Sequence, residues 1–280
     1  MKKLTVFCAA ACLAASAAAQ NHPDLHEVLD RQKGRNLIEI PKGTYTLDVR
    51  NNGPYKFHNL TDVHINGNGS TVICNNQEQA FSFYNCVRVE LRDLTIDYDP
   101  LCFTQGEITA VAEDGSWFDV RIDEGYPVTG LAANRVQFYD PQTRLLKRNS
   151  ITTYTSNYSA LKQLGHNLFR AVKNGTWSAG EQVGDLVVMD VKTDKPNAGV
   201  HTVMLNKCYN TKLENVTVYG SNTFSFFEKE CYANEYRNCV VDRGPMPQGI
   251  RPRLRSGNAD GIHSSQARKG PTVTGCKVGH

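Results

Sequence analysis

The chain has 280 residues, of which 40% are hydrophobic and 21% are charged, and its formal net charge at pH 7 is +3. This length suffices for one large domain or two ordinary ones, and the composition excludes a disordered or collagen-like chain. Because Lys2 and Lys3 contribute to the small positive charge and no basic run follows, charge gives no reason to expect nucleic acid as a partner.

Residues 1–19 have the pattern of a secretory signal peptide. Two lysines precede an apolar, alanine-rich run, and Ala17 to Ala19 satisfy the A-x-A cleavage pattern. The run is too short to span a membrane, and no later segment is long and apolar enough to do so. We therefore expect a secreted or periplasmic protein, with outer-membrane association left open and no stable membrane insertion once the signal is removed. A lipoprotein anchor at Cys12 is the alternative, although the residues before it lack the usual large aliphatic side chain.

The mature chain is predicted to begin with a short helix, because Leu25, Val28 and Leu29 follow helical spacing. Residues 20–98 are expected to hold this N-terminal cap and the first units of an internal repeat. The repeat becomes visible in four pairwise alignments. NLTDVHI (59–65) aligns with NCVRVEL (85–91), and CVRVELRDLTI (86–96) aligns with CYNTKLENVTV (208–218). CYNTKLENVTV aligns in turn with CYANEYRNCVV (231–241), and RNCVV (237–241) aligns with TGCKV (274–278).

Units of about 23–26 residues with alternating apolar positions are typical of a right-handed parallel β-helix, whose stacked coils bury a common core. The leucine-rich repeat has a similar length, but its consensus is not met. An asparagine recurs between the apolar runs, where it can adopt a left-handed backbone and bond its counterparts in neighbouring units. The aligned Cys86, Cys208 and Cys231 are predicted to be small, inert interior residues. Without Cys8 and Cys12 the number of cysteines is odd, so at least one free thiol is expected.

Residues 99–199 interrupt the repeat and are predicted to form an inserted β-rich subdomain, barrel-like or sandwich-like. Its strand-like pieces are separated by turn signals such as Asp114-Gly115 and Asn174-Gly175. The repeat resumes over residues 200–280, with a Pro/Gly/Arg-rich loop at 243–256. The fold class is therefore predicted to be all-β, a right-handed parallel β-helix with an inserted β-barrel-like subdomain.

The segment SGNADGIHSS (256–265) has the densest set of reactive side chains, Asn258, Asp260 and His263. An acid, an amide and an imidazole close together suit general acid–base chemistry on a polar substrate. The alternative is structural, because Asp-Gly is ordinary turn chemistry. The repeat alignment also places His263 in register with inward-facing residues, namely Phe81, Val203 and Phe226.

Glu228 is the second candidate, because it occupies the position that earlier units give to Phe83 and Leu205. The alignment makes Ser265 its partner in the next unit. A carboxylate that is buried without a partner is costly. We therefore expect Glu228 either to face a binding groove or to pair with a nearby arginine or lysine.

The loop 243–256 contains alternating Arg251, Arg253 and Arg255, which could contact hydroxyl or carboxylate groups of a glycan or form a solvated surface. Asp97 and Asp99 could bind a cation, although their spacing resembles no known cage.

Three strings, IPKGTY (40–45), LTIDYDPLCFTQGEI (94–108) and NADGIHSS (258–265), resemble the bacterial alpha-1,3-galactosidases of glycoside hydrolase family 110. IPKGTY is common to pectate-lyase-like β-helices, whereas the other two strings are more specific. The resemblance covers essentially the whole mature chain. It implies metal-independent and cofactor-independent hydrolysis of terminal alpha-1,3-linked galactose with inversion, on a glycan substrate.

An inverting glycosidase uses two carboxyl groups about 6.5–9.5 Å apart. The resemblance makes Asp260 one of them, and we predict Glu228, Asn258, His263 and Arg255 as substrate-binding residues. The family's other active-site carboxylates form an aspartate pair on the next coil. One repeat step from Asp260 passes His280, so we expect this chain to be an N-terminal fragment that lacks part of the catalytic set and is poorly stable.

Two other functions remain open at this point. A polysaccharide lyase on the same architecture would need a uronic acid substrate, usually Ca²⁺, and a basic residue as proton acceptor. The arginine-rich loop is its only support. A non-catalytic carbohydrate-binding or surface protein is the third possibility.

Overall fold

The structure is a computed structural model that describes residues 22–192, 201–257 and 259–279. The predicted signal peptide and the candidate Asn258 lie outside these ranges. The predicted N-terminal helix is present as α1 (Leu25–Asp30), which buries Leu25 and Leu29. Asp24 caps it by accepting a hydrogen bond from the backbone N–H of His26. A second short helix is α2 (Val49–Asn52), and a 3-10 turn spans Thr155–Asn157.

Strands form nearly all other regular structure in the described residues. The first group is β1 (Leu37–Glu39), β2 (Thr44–Leu47), β3 (Tyr55–His58), β4 (His64–Cys74), β5 (Phe81–Tyr84) and β6 (Glu90–Tyr98). The second is β7 (Phe103–Val111), β8 (Trp117–Ile122), β9 (Leu131–Tyr139), β10 (Thr153–Tyr154), β11 (Tyr158–Gln163), β12 (Leu168–Lys173) and β13 (Leu186–Val191). The third is β14 (Val203–Asn206), β15 (Lys212–Tyr219), β16 (Phe226–Lys229), β17 (Glu235–Arg237), β18 (Val240–Asp242), β19 (Ile262–Ser265), β20 (Thr272–Thr274) and β21 (Lys277–Val278).

The first and third groups combine into two parallel sheets, and the all-β class is thereby confirmed. The five-stranded sheet has the order β19-β16-β14-β5-β3. The nine-stranded sheet has the path β1-β4-β6-β15-β17-β20, with β2 beside β4 and β18 between β15 and β21. All pairings within both sheets are parallel. Strands that are neighbours in space therefore come from successive units of the sequence repeat.

The strand registers confirm the repeat alignment at most positions. Leu91 pairs with Ile65 on one side and with Leu213 on the other, and Leu213 pairs in turn with Tyr236. Because side chains alternate between the faces of a strand, a shared register puts the apolar residues of every unit on the same side. These residues form one buried cluster to which both parallel sheets contribute.

The recurring asparagines adopt the predicted left-handed backbone. Asn59, Asn85 and Asn238 follow strands, whereas Asn215 lies within β15, and all four have a positive φ of 51–57°, a backbone region in which asparagine is enriched. Asn85 Nδ2 donates to Asn59 Oδ1 at 2.9 Å, which links equivalent turns of neighbouring units.

The cysteines predicted to be interior are buried free thiols. Cys86, Cys208 and Cys231 lie one above another, at 0–1% exposure. The Cys208 backbone N–H lies 3.4 Å from Cys231 Sγ. Hydrogen bonding with Cys208 lowers the pKa of Cys86 and of Cys231, whereas the same contacts raise the pKa of Cys208. The interior position of these cysteines is confirmed, and their inertness stays a prediction.

The strands β7–β13 form an antiparallel seven-stranded sheet in the order β10-β9-β13-β7-β8-β12-β11. The predicted turns at Asp114-Gly115 and Asn174-Gly175 lie between its strands. Its core is separate and aromatic-rich, with Phe118 edge-on to Phe138 at 5.6 Å. Gly106 permits the close approach of β7 to β8, because a Cβ there would lie 2.1 Å from the Arg121 carbonyl oxygen. Among the described residues, no helix is long and apolar enough to cross a membrane.

Candidate functional site

Asp260 and His263 form a hydrogen-bonded pair at the edge strand of the five-stranded sheet. His263 Nδ1 lies 2.8 Å from Asp260 Oδ2. The side chain of His263 is 37% exposed and that of Asp260 is 59% exposed. The backbone fixes this segment, since the Asp260 carbonyl accepts from Ser225 N–H at 3.1 Å and the Gly261 carbonyl from Phe226 N–H at 2.9 Å. The structure therefore holds an acid and an imidazole together where solvent can reach both.

The His263 ring is the last member of an aromatic stack that also contains Phe224 and His201. His263 lies flat on Phe224, with centroids 4.2 Å apart and planes 3° apart, and Phe224 lies flat on His201 at 4.8 Å and 6°. Phe227 packs against both imidazoles, at 4.3 Å from His201 and 5.6 Å from His263. With one ring face on Phe224 and Nδ1 bonded to Asp260, the orientation of His263 is fixed from two sides.

His201 has a different environment from His263. Its Nδ1 lies 2.9 Å from Thr223 Oγ1. Burial, and to a smaller extent the charge of His263, lower the pKa of His201. His201 is therefore disposed to remain neutral and to serve as a stacking partner.

The predicted register of His263 is wrong by one residue. His263 pairs with Phe227, whereas Ile262 pairs with the inward-facing Phe226. The cause is one extra residue in the turn after β19, because Lys229 pairs with Ser265 whereas Tyr232 pairs with Lys269. The shift carries His263 from the predicted interior to the outer side, where it meets Asp260.

Gly261 packs closely against β21. A Cβ at Gly261 would lie 2.4 Å from Val278 Cγ1, so another residue would displace either the Val278 side chain or the Asp260 segment. Close packing against β21 therefore explains the glycine that follows Asp260 in the sequence NADGIH.

Glu228 lies in the interior, where its strand register with Phe83 and Leu205 is confirmed through β14. It is completely buried. Its carboxylate accepts hydrogen bonds from Ser264 Oγ at 2.7 Å and from Asn234 Nδ2 at 3.0 Å. Its partner from β19 is therefore Ser264 and not Ser265.

The Tyr236 hydroxyl lies 3.5 Å from Glu228 Oε2. Burial, followed by the Glu228 charge, raises the pKa of Tyr236, so this hydroxyl keeps its proton. Both alternatives expected for Glu228 are wrong. Neutral donors take the place of an arginine or lysine, and the buried carboxylate faces no binding groove, so it has no direct access to a substrate. The structure offers Glu228 a supporting position beneath the β19 segment.

The loop 243–256, here called the Arg loop, turns its alternating arginines toward acidic residues from distant parts of the chain. Arg253 makes two 2.8 Å hydrogen bonds to the Asp97 carboxylate, and both side chains are largely buried. Arg255 Nη2 bonds Asp190 Oδ1 at 2.7 Å, with the guanidinium 4.9 Å from the Phe103 ring.

These contacts correct three expectations. Arg255 is 1% exposed at its side chain, so it holds the loop on the seven-stranded sheet and does not reach a glycan on the surface. Arg253 and Arg255 are buried and do not form a solvated surface, whereas Arg251 stays 39% exposed and pairs with Asp123 at 3.0 Å. Asp97 is committed to Arg253 and is not a cation ligand. No group of three or more His, Cys, Asp or Glu in the described part of the chain is placed to hold a metal ion.

The stack of His201 and Phe224 is a feature that inspection of motifs missed. His201 lies two positions before Val203, and Phe224 lies two positions before Phe226. Because Val203 and Phe226 are aligned in the repeat, the alignment also places His201 and Phe224 next to each other. Asp260 occupies the equivalent position before Ile262. Tracing outward-facing columns of the repeat, as well as inward-facing ones, would have found the stack.

No known protein family and no curated protein matches this sequence. The chemistry of the site therefore rests on its geometry. A solvent-exposed carboxylate, an oriented imidazole with its Nε2 directed away from the acid, and a flanking aromatic surface can bind a polyhydroxylated ligand and move a proton.

Proposed function

We propose that this chain is an exported glycoside hydrolase that removes terminal alpha-1,3-linked galactose from glycans by an inverting mechanism. In this proposal the two parallel sheets are faces of a right-handed parallel β-helix, and the seven-stranded sheet is its inserted β-barrel-like subdomain. The resemblance to glycoside hydrolase family 110 supplies the substrate and the stereochemistry.

Two features support the β-helix. Successive repeat units contribute adjacent parallel strands to both sheets, and the two sheets share one apolar core. Stacked coils have this arrangement, since a single coil cannot bury its apolar face alone. The segment containing the seven-stranded sheet leaves after β6 and returns before β15, which pairs directly with β6. An insertion between neighbouring coils produces that pattern.

The observation that carries the catalytic proposal is the exposed Asp260, held by His263 on the aromatic stack. In an inverting hydrolase one carboxyl group protonates the leaving oxygen and another activates water. Asp260 is suited to one of these roles because it is exposed and has a fixed orientation. The edges of Phe224 and Phe227 add apolar surface of the kind that lines ligand sites.

His263 is proposed to orient Asp260 and to bond a sugar hydroxyl through Nε2. Glu228 is proposed to support the β19 segment from below. By the resemblance, the second carboxylate belongs to an aspartate pair one coil beyond Asp260.

The lyase alternative loses its main support, because the arginines that were to accept a proton are paired with Asp97, Asp123 and Asp190. A binding protein without turnover would use the same exposed acid and aromatic surface, so the test must separate binding from hydrolysis.

The test is galactose release from an alpha-1,3-galactosyl disaccharide by residues 20–280 and by the product of the reading frame continued past residue 280. Release by the extended protein that falls about 10²–10⁴-fold in Asp260→Asn supports the proposal, since general acid–base catalysis contributes that much. Lys162→Ala, an exposed change on the seven-stranded sheet, is the matched control and should be fully active. Release that persists in Asp260→Asn would remove Asp260 from catalysis. Saturable binding without release by either folded protein would favour the binding protein, and an ultraviolet-absorbing product would favour the lyase.

A further inference from the structure

A polar cleft lies on the seven-stranded sheet, beside the Arg loop. Two adjoining cavities of about 400 Å³ and 310 Å³ share Ile122, Asp123, Glu124 and Asn167. Asp260 and the aromatic stack do not line either cavity. The volumes are in the range of small-ligand sites, so the cleft could hold a ligand of one or two sugar rings.

Several polar groups that line the cleft have unused bonding capacity. Within the described residues, Arg121 and Glu124 make no side-chain hydrogen bond or ion pair, although both are charged and line the first cavity. Asn167 Nδ2 donates to the Ile122 carbonyl at 3.2 Å. That bond fixes the amide and leaves its Oδ1 available as an acceptor. These groups come from β8, from the turn that follows it and from the turn before β12.

The floor of the cleft is ordered by a second set of polar contacts. Asp123 is 10% exposed at its side chain, accepts a hydrogen bond from Gln105 Nε2 at 2.9 Å and forms an ion pair with Arg251 at 3.0 Å. Burial is the main cause that raises the pKa of Asp123. Arg251 also lies 3.6 Å from Glu107. The acceptors and donors of the floor are thus held in place before any ligand arrives.

The balance of charge indicates which ligand fits. Three carboxylates and two guanidinium groups line the cleft, from Glu107, Asp123, Glu124, Arg121 and Arg251. With only one carboxylate in excess, these charges nearly cancel, so the cleft gives neither an anion nor a cation a strong net attraction. A hydroxyl group both donates and accepts, so a neutral polyol can bond acids and arginines at the same time.

We propose that this cleft is a carbohydrate-binding site that takes a neutral saccharide, separate from the site at Asp260. It goes beyond the proposed hydrolysis and does not depend on it. A glycan held here would remain attached to the protein while another of its branches reached Asp260, which raises the effective concentration of that branch.

The test is amide chemical-shift mapping of residues 20–280 titrated with galactosyl-alpha-1,3-galactose at millimolar concentrations. We expect saturable shifts at residues 121–124 and 166–167. Arg121→Ala should weaken this binding about tenfold, as loss of a charged hydrogen bond does. The matched control Lys162→Ala, on the same sheet but outside the cleft, should bind normally at residues 121–124.

Three results would overturn the proposal. They are the absence of saturable shifts at the cleft, equal binding by Arg121→Ala and the unsubstituted protein, and tighter binding of a sialylated than of a neutral sugar. Shifts confined to residues 259–263 would place the sugar at Asp260 alone. Failure of the extended protein to hydrolyse the disaccharide, with intact binding at residues 121–124, would refute the proposed function and leave the cleft proposal unaffected.

Discussion

The ion pair between Arg253 and Asp97 should make the largest single contribution of the Arg loop to stability. Both side chains are nearly buried, at 6% and 11% exposure, and two hydrogen bonds of 2.8 Å join them. Arg253→Ala would leave the Asp97 carboxylate without its cation in a poorly hydrated site. Removing one partner of a buried pair costs about 3–5 kcal/mol, and the residual exposure favours the lower end.

A loss of about 3 kcal/mol corresponds to a fall in Tm of about 6–12 °C for a chain of this size. Differential scanning calorimetry of Arg253→Ala against the unsubstituted protein measures it. Arg251→Ala is the matched control, because the Arg251 side chain is 39% exposed and its pair should contribute about 1 kcal/mol or less.

A double variant tests the physical reason. Asp97 Oδ1 also accepts the Tyr98 N–H at 2.8 Å. Asn at position 97 can keep that bond, and Met at position 253 can fill the space of the arginine stem. Asp97→Asn combined with Arg253→Met should therefore be more stable than Arg253→Ala alone, since no charge is left buried. A fall in Tm no larger for Arg253→Ala than for Arg251→Ala would refute this reasoning, and so would a double variant less stable than Arg253→Ala.

Two further predictions concern titratable side chains. Burial raises the pKa of the Cys102 thiol to about 12. Alkylation of the folded protein at pH 8, followed by peptide mapping, should therefore label the half-exposed Cys276 and leave Cys102 unlabelled until denaturant is added. Equal labelling of the two cysteines would contradict this. Because the pKa of His201 is lowered in the folded state, the unfolded chain binds more protons just below the ordinary histidine pKa of about 6.5, and stability should fall as pH decreases through that region. His201→Phe should reduce that loss in Tm measurements between pH 7 and pH 5, and an unchanged pH dependence would contradict the assignment.

The internal repeat made most of the parallel register predictable. Apolar residues such as Leu91 and Leu213 must face the same core, and a one-residue slip would turn a whole strand outward. The alignment failed at His263 because a single extra residue in the turn at 266–268 shifts β19 relative to β20. Turns on the surface tolerate such insertions, so the spacing of the cysteines could not reveal it.

The site was less predictable than the fold, because it depends on contacts between distant segments. The alternation of Arg251, Arg253 and Arg255 was visible in the sequence, whereas their acidic partners, Asp97 and Asp190 among them, lie far away along the chain. Charge alone could not distinguish an arginine that meets a ligand from one that fastens a loop. The pairing of Asp260 with His263 was foreseen as a cluster, but its orientation depends on the stack under His263.

The most direct test of the proposed chemistry is proton NMR during the first minutes of hydrolysis of an alpha-1,3-galactosyl disaccharide. An inverting reaction that depends on Asp260 should release the β-anomer of galactose first, before mutarotation, and Asp260→Asn should release almost none. Initial formation of the α-anomer, or equal release by Asp260→Asn, would contradict the proposed mechanism.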